Sequence, residues 1–424
     1  MRLRSLEVHR VDKKKFDLKE ILRANAVTIM FVALCIVCMI FSNTSVSYVL
    51  MAMFGRLSRN AFIVLALIIP IIAGMGINFA ITIGAMAAQI ALLWVVEWQI
   101  TGLPGFVLAA LITVPLAAFF GFLIGKLLNK MKGQEMIGGL ILGYFANGLY
   151  QLLFLFIFGN LIPLNTPGLV IKGSTGVANT ISLQTLKYAL DNIWSVDFGT
   201  ALYVVSGLIA AVMIIKMILK KTSIIKGIIA IVFFGAACAV YALVPALPEL
   251  FSMVTVPMAT FAVVGLLCLF NVAIMRTRLG QQFRAVGQNR TVANASGINV
   301  NRVRLIAIMI STVLAGWGQL IFVQNMGTFQ TYGAHEQVGL YAGAAILVGG
   351  ASIKKATNKQ AILGCILFHL LFEVAPSAAK TIFGDAAIGE YFRVFISYGV
   401  IAMALVMHAW SGVQKKKRKA LSVQ

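Results

Sequence analysis

The chain is 424 residues long, 60% apolar and only 11% charged, with a mean hydropathy of +0.94. Soluble domains carry about 45–50% apolar and about 25% charged residues, so an ordinary soluble protein is excluded. Net charge is +22, from 35 Lys/Arg against 13 Asp/Glu. The basic residues form short clusters between apolar runs, which is the pattern of membrane topology. No aromatic–basic interleaving points to nucleic acid as a partner.

Residues 1–25 are polar and carry eight Lys/Arg. The segment is longer and more mixed than the start of a secretory signal, and no small-residue cleavage site follows it. It reads as a cytoplasmic tail leading into an uncleaved first span. Apolar runs then fall at 26–42, 61–77, 79–97, 105–128, 136–158, 199–217, 225–246, 250–274, 305–323, 338–353, 360–374 and 391–410. A spanning helix needs roughly 20 apolar residues. The second and third runs nearly abut through Gly74-Met75-Gly76-Ile77-Asn78, a Gly-rich join that suits a broken or re-entrant helix. The run at 360–374 is short. The expected fold class is therefore all-α, a polytopic transmembrane helical bundle of ten to twelve spans over 26–410, with a basic tail at 411–424.

Charge orders these spans. Starting inside, twelve spans place 29 of the 35 Lys/Arg in cytoplasmic segments, which fits a positive-inside orientation with both termini cytoplasmic. The exceptions are Arg56, Arg59, Lys172, Lys187, Lys380 and Arg393. Arg56 and Arg59 are expected on a short interfacial helix before residue 61. The longest outer loop is 159–197. Trp98 and Trp194 mark outer span ends and Trp410 an inner one, as belt residues do.

Enzyme chemistry is not legible. Neither H-E-x-x-H nor G-x-S-x-G occurs. The stretch Gly121-Phe122-Leu123-Ile124-Gly125-Lys126-Leu127 lacks the spacing and the Ser/Thr of a phosphate-binding loop. No catalytic or metal-binding residue is expected. Cys35 and Cys38 form a C-x-x-C among apolar neighbours and read as small fillers of a span. His369 and Glu373 are four apart and share a helix face. They read either as a proton relay or as a polar pair near the outer end of a short helix. Uncharged polarity is more plentiful, at Asn78, Thr82, Gln89, Asn147, Gln151, Gln319, Gln324 and Asn325. Such groups line a path for a neutral hydroxyl-rich solute or hold helices together. Asn78, Gln89, Asn147, Gln151 and Gln319 are the candidate substrate path.

The most informative stretch is 275–304, which contains RTRLGQQFRAVGQNRTVANASGINVNRVR. Its centre, 281–296, predicts one or two short helices, ended by Gly297, a residue suited to left-handed backbone. Thr277, Gly280, Arg284, Ala285, Gly287, Asn289, Ala293, Ser296, Gly297 and Ile298 resemble the cytoplasmic signature of membrane subunits of bacterial binding-protein-dependent ABC importers. That group serves ribose, xylose and other simple sugars, nucleosides, and branched-chain amino acids. Val292 and Asn294 stand where small residues are usual. Ser311-Thr312-Val313-Leu314-Ala315-Gly316 and Leu347-Val348-Gly349-Gly350-Ala351-Ser352 are similar to further family stretches, the latter sugar-type. Glu135-Met136-Ile137 with Leu142 and Tyr144 looks nucleoside-type, although Gly143 replaces an Asn.

The resemblance implies a permease subunit of an ATP-driven importer in the bacterial inner membrane. It implies a coupling loop that contacts the ATPase, with that role carried by Arg284, Ala285, Gly287, Asn289, Ala293 and Gly297. It further implies an ATP-binding subunit that holds ATP and magnesium, a second permease subunit (identical or paralogous), and an extracytoplasmic solute-binding protein. This chain would bind no cofactor. Sugar and nucleoside stay equally open as solute. The alternative is a stand-alone proton-coupled transporter using His369 and Glu373.

Overall fold

The structure is a computed structural model that describes residues 25–131, 133–170, 176–219, 223–385 and 387–395, with 398, 399, 402 and 406. The basic N-terminal tail up to residue 24, the tail at 411–424, Trp410 and much of the last apolar run lie outside the described residues. So do Lys132, Lys172, Lys220 and Lys221.

Helices dominate, as the composition requires. In chain order they are α1 (Ala26–Phe41), α2 (Val46–Ala66), α3 (Ile68–Ile72), α4 (Ile81–Glu97), α5 (Gly102–Lys130) and α6 (Glu135–Leu152), the last continued by a π turn to Ile157. Then come α7 (Phe198–Ile218), α8 (Ile224–Leu243), α9 (Ala246–Leu250) and α10 (Met258–Ile274). Two short helices, α11 (Arg278–Gln288) and α12 (Arg290–Ala295), precede α13 (Val300–Met326), α14 (Val338–Val348) and α15 (Asn358–Phe383). Local chemistry sets several boundaries. Ser45, Asp197, Asn299 and Thr357 accept hydrogen bonds from the first free amides of α2, α7, α13 and α15, and this satisfies orphan donors. Gly327 and Gly384 end α13 and α15 in left-handed backbone, where a Cβ would be strained.

Among the described residues, six helical stretches are long and apolar enough to cross a bilayer, seven if α10 and α11, bent by 77°, are taken as one. Four further apolar helices are shorter. Fewer helices thus cross unaided than there are apolar runs. At α14 a glycine pair is the reason: it stops at Gly349 after 11 residues, about 16 Å at 1.5 Å per residue, roughly half the hydrocarbon core.

Two expectations need correction. Arg56 and Arg59 are not on a separate interfacial helix. They lie within α2, which runs unbroken from Val46, because Ser45 caps it and nothing interrupts it before Leu67. The run at 360–374 is not short either. α15 extends 26 residues through Pro376, so His369 and Glu373 sit in its middle.

The helix α13 is the central element. α2 runs antiparallel beside it: Ser311 Oγ donates to the Ala66 carbonyl at 2.9 Å, and a Cβ on Gly318 would strike Ile63. α5 is likewise antiparallel, with Trp317 Nε1 donating to the Ala110 carbonyl at 3.1 Å and Asn129 Nδ2 to the Asn301 carbonyl at 2.8 Å. The α4 backbone reaches α13 where Gly84 leaves no room for a Cβ against the Thr312 carbonyl. α14 and α15, which pack on α2, meet backbone to backbone at Gly349 and Gly364.

Two small antiparallel ribbons close the loop end. Strand β1 (Thr180–Ser182) pairs with β4 (Thr328–Gln330), and β2 (Ser195–Asp197) with β3 (Thr255–Pro257). The second ribbon anchors a hairpin of α7 and α8 that buries few side chains and presents apolar surface nearly all round, as suits a segment facing lipid. Trp98 and Trp194 are exposed.

The glycine crossings give a stability prediction. Gly364→Ala forces a Cβ into the Ala345 carbonyl oxygen, whereas a Cβ on Gly235 meets nothing within 4 Å. In detergent unfolding, Gly364→Ala should lower stability by about 1–3 kcal/mol or more. Gly235→Ala should stay within about 0.5 kcal/mol. Equal unfolding midpoints for the two variants would remove backbone contact as the basis of this crossing.

Candidate functional site

The loop at 278–295 folds as two helices. Thr277 caps the first, accepting from the Gly280 amide at 3.3 Å. Its apolar side turns inward through the fully buried Phe283 and Val286. Asn289 starts the second, its side chain accepting from the Thr291 and Val292 amides at 3.0 and 3.1 Å. Gly297 follows at φ +81°. Of the residues read from sequence, Gly287 presses on the chain break after α3. A Cβ there would collide with the Ile72 carbonyl oxygen. Ala293 is buried, Ala285 is half-buried, and Arg284, Asn289 and Gly297 are exposed.

The break itself is tight. Gly74 and Gly76 have φ +75° and +72°, values glycine adopts without steric cost. A Cβ on Gly74 would stand 2.8 Å from Gly287 Cα, and one on Gly76 would stand 2.9 Å from Met136 Cγ. The segment 74–80 is therefore wedged between the loop and α6.

An ion cluster, which sequence reading missed, ties these parts together. Arg290 Nη2 donates to the Gly74 carbonyl at 2.7 Å. Its Nη1 lies 2.8 Å from Glu135 Oε1, and Arg304 Nη2 lies 2.6 Å from the same oxygen. Glu135 and Arg304 are both buried. A buried charge left unpaired is costly, so each needs the other. The available signal was an acid opening an apolar run, on a chain with few acids, opposite a basic loop.

A second polar centre forms between α4, α6 and the turn before α14. His335, fully buried, has Nδ1 2.9 Å from Gln89 Oε1 and Nε2 2.8 Å from Asn147 Oδ1. Asn147 Nδ2 donates to Glu336 Oε1 at 3.2 Å, which fixes that amide. Burial pushes the His335 pKa down to about 4, so the ring is neutral at pH 7. A neutral imidazole has one N–H. It goes to Asn147, and Gln89 satisfies Nδ1 by turning its amide NH2 toward the ring. The Tyr150 ring stands edge-on to His335 at 4.7 Å. Gln319 joins through Nε2, which donates to the Ala334 carbonyl at 3.2 Å.

Of the candidate path, then, Gln89, Asn147 and Gln319 converge. Asn78 lies lower, bonding the Ala80 amide at 3.2 Å. Gln151 is half-buried and is outside these bonds. His335 and Glu336 were missed, although they stand together in the polar gap between two apolar runs.

Two cavities adjoin here. One of about 30 Å³ is lined by Thr82, Tyr144, Asn147, His335 and Glu336. One of about 550 Å³ is lined by Gly74, Gly76, Glu135, Arg290 and Lys354. Phe79, Leu140 and Leu340 line both and form the constriction between them.

The other polar residues hold helices together. Gln324 Nε2 and Asn325 Nδ2 donate to Asp191 Oδ2 at 3.2 and 2.7 Å, and Thr260 donates to its other oxygen. Glu97 accepts from the Asn165 and Thr166 amides at 2.7 and 3.1 Å. Glu373 is bound to Arg56 at 2.5 Å, not to His369, so neither the relay nor the polar pair read from the sequence is assembled. Cys35 and Cys38 are buried free thiols.

Residues 248–406 match the family model described as the branched-chain amino acid transport system / permease component. The ribose import permease protein RbsC of Escherichia coli (strain K12) is 28% identical over 132 residues, 31% of this chain and 39% of that one. The nucleoside ABC transporter permease protein NupB of Lactococcus lactis subsp. cremoris is 25% identical over 173 residues, 37% of this chain and 45% of that one. The xylose transport system permease protein XylH of Haemophilus influenzae is 25% identical over 162 residues, 38% and 40% respectively. The matched part spans less than half the length of each relative. No solved structure matches the chain. The chain is thus a multi-pass membrane protein that over these segments is similar to sugar- and nucleoside-type ABC permeases, as the resemblance at residues 277–298 suggested.

His335 supplies a pH prediction. Its folded pKa lies below the ordinary 6.5, so the unfolded chain takes up the proton first. Stability is complete above about pH 6.5 and is lost as pH falls toward 4, by about 2 kcal/mol at pH 5. Thermal unfolding in detergent between pH 7 and 4.5 should show His335→Gln losing less stability than the wild type. Parallel curves would place the acid sensitivity elsewhere.

Proposed function

We propose that this chain, whose residues 248–406 carry the permease-component match, is the membrane subunit of an ATP-driven importer in the inner membrane. Both termini lie in the cytoplasm. The chain hydrolyses nothing itself. ATP and magnesium belong to a partner ATPase subunit that docks on the loop at 275–304. A second permease subunit, identical or paralogous, completes the path, and a solute-binding protein delivers cargo to the outer face.

The observation that carries this reading is the seat of the loop. Gly287 lies against the backbone break that opens the larger cavity, so a push on exposed residues such as Arg284 reaches the path without passing through flexible side chains. Interiors transmit such displacement because they are close-packed. Ala285, Asn289, Ala293 and Gly297 give the loop its shape for docking.

The solute is a small neutral molecule rich in hydroxyls, a simple sugar or a nucleoside. Asn78, Gln89, Asn147, Gln151 and Gln319 offer uncharged hydrogen-bonding groups, and Glu336, which lines the smaller cavity, adds an acceptor. Proton-coupled transport is disfavoured because Glu373 is held by Arg56.

Affinity purification in mild detergent, with mass spectrometry and vanadate-sensitive ATP hydrolysis as readouts, tests the assignment. An ATPase should co-purify with the wild-type chain and be lost on deletion of 284–297. Gly287→Trp should abolish ATP-driven uptake while the chain still inserts into the membrane. Transport that survives either change would refute docking at this loop, and a chain that purifies without any ATPase would refute the importer.

A further inference from the structure

The ion cluster and the constriction lie on the same two segments. Arg290 belongs to the loop, yet both ends of its guanidinium are engaged elsewhere. One holds the Gly74 carbonyl at 2.7 Å and the other holds Glu135 at 2.8 Å. Gly74 is five residues before Phe79, on a segment with no helical turn to absorb displacement. Glu135 is five residues before Leu140, on the rigid first turns of α6. Phe79 and Leu140 are two of the three side chains that divide the cavities.

The surroundings make this connection stiff. The backbone at 79–80 runs between glycine-lined faces of α6 and α14. A Cβ on Gly139 would stand 3.4 Å from the Ala80 amide nitrogen, and one on Gly339 would stand 2.7 Å from the Phe79 carbonyl oxygen. With so little slack, a shift at Gly74 moves Phe79. Arg304 holds Glu135 from below at 2.6 Å, so Glu135 keeps its place when Arg290 lets go. Arg290 is only half-buried and sits on a six-residue helix, which makes it the movable member.

We propose that Arg290 is the positioning residue through which the loop sets the constriction of Phe79, Leu140 and Leu340. While Arg290 bridges Gly74 and Glu135, the two segments are drawn together and the constriction is closed. Movement of α12 away from them withdraws the bridge and frees both at once. This rests on the permease reading for its purpose, but its geometry is testable without any partner.

The test places a thiol above the constriction. Thr82 is buried in the smaller cavity. In Thr82→Cys, a polar, membrane-impermeant thiol reagent is added from the side bearing the loop, with the chain lacking this cysteine as background. Labelling should be slow, and Arg290→Gln should raise its rate about tenfold. Arg290→Lys, which keeps the charge but not the forked reach, should fall between. Arg302→Gln, an exposed cation of the same region, should change nothing. Phe79→Ala should speed labelling with the bridge intact. Equal rates in Arg290→Gln and the wild type overturn the role of Arg290, and an inert Phe79→Ala overturns the constriction.

In the complex with its ATPase, Arg290→Gln should hydrolyse ATP while importing little. Tight coupling retained by that variant overturns the proposal. A wild-type complex that shows no ATP-driven uptake refutes the permease reading instead, and the labelling rates still decide the role of Arg290.

Discussion

Backbone meeting backbone at glycine is the constraint on which this bundle depends. Between spans there is no water to drive apolar surfaces together, so association relies on close packing. At Gly84 against Thr312, Gly364 against Ala345, Gly349 against Gln360 and Gly287 against Ile72, even one methyl group would collide with a carbonyl oxygen. These crossings fix α4 on α13 and α14 on α15, and they seat the loop on the break after α3. Carbonyl oxygens so close to Cα hydrogens also gain weak hydrogen bonds.

Polar groups inside the bundle divide by partner. Where an acid is matched to a fixed donor set, as Asp191 is with Gln324, Asn325 and Thr260, the group is tied up and serves as a joint. The same holds for Glu373 with Arg56. Around His335 the bonding is looser. The Gln319 Oε1 and Tyr150 hydroxyl atoms have no protein partner among the described residues, although each is buried. An unmet buried polar atom is costly, and these two flank His335, one through the Tyr150 ring and one through the Ala334 carbonyl that Gln319 holds.

The two halves of the candidate machinery are connected by the break at 73–80. A continuous helix there would have carried strain along its axis and past the cavities. Instead two left-handed glycines turn the chain sharply and bring one backbone against the loop, α6 and α14 in succession. The loop, the ion cluster and the constriction are thus one contiguous set of contacts.

Sequence by itself determined the class of this protein and much of its layout. Apolar run length and basic clustering depend only on bilayer thickness and charge cost, so an all-helical polytopic chain was legible. So was a helical loop, of one or two short helices, ended by Gly297, because capping and left-handed backbone are local. The Gly-rich join at 74–78 was visible as a break for the same reason. Tertiary structure alone decided which polar residues meet. His335 finds Gln89 and Asn147 across 246 and 188 residues, and Arg304 finds Glu135 across 169. A hydropathy pattern scores each residue against solvent, not against a distant partner. It therefore counted Arg290 and Arg304 as topology markers, read His369 and Glu373 as a pair, and placed Arg56 and Arg59 at an interface. Helix packing instead paired Arg56 with Glu373 and drew Arg290 and Arg304 onto a single carboxylate, because a charge within a membrane bundle is stable only beside its opposite.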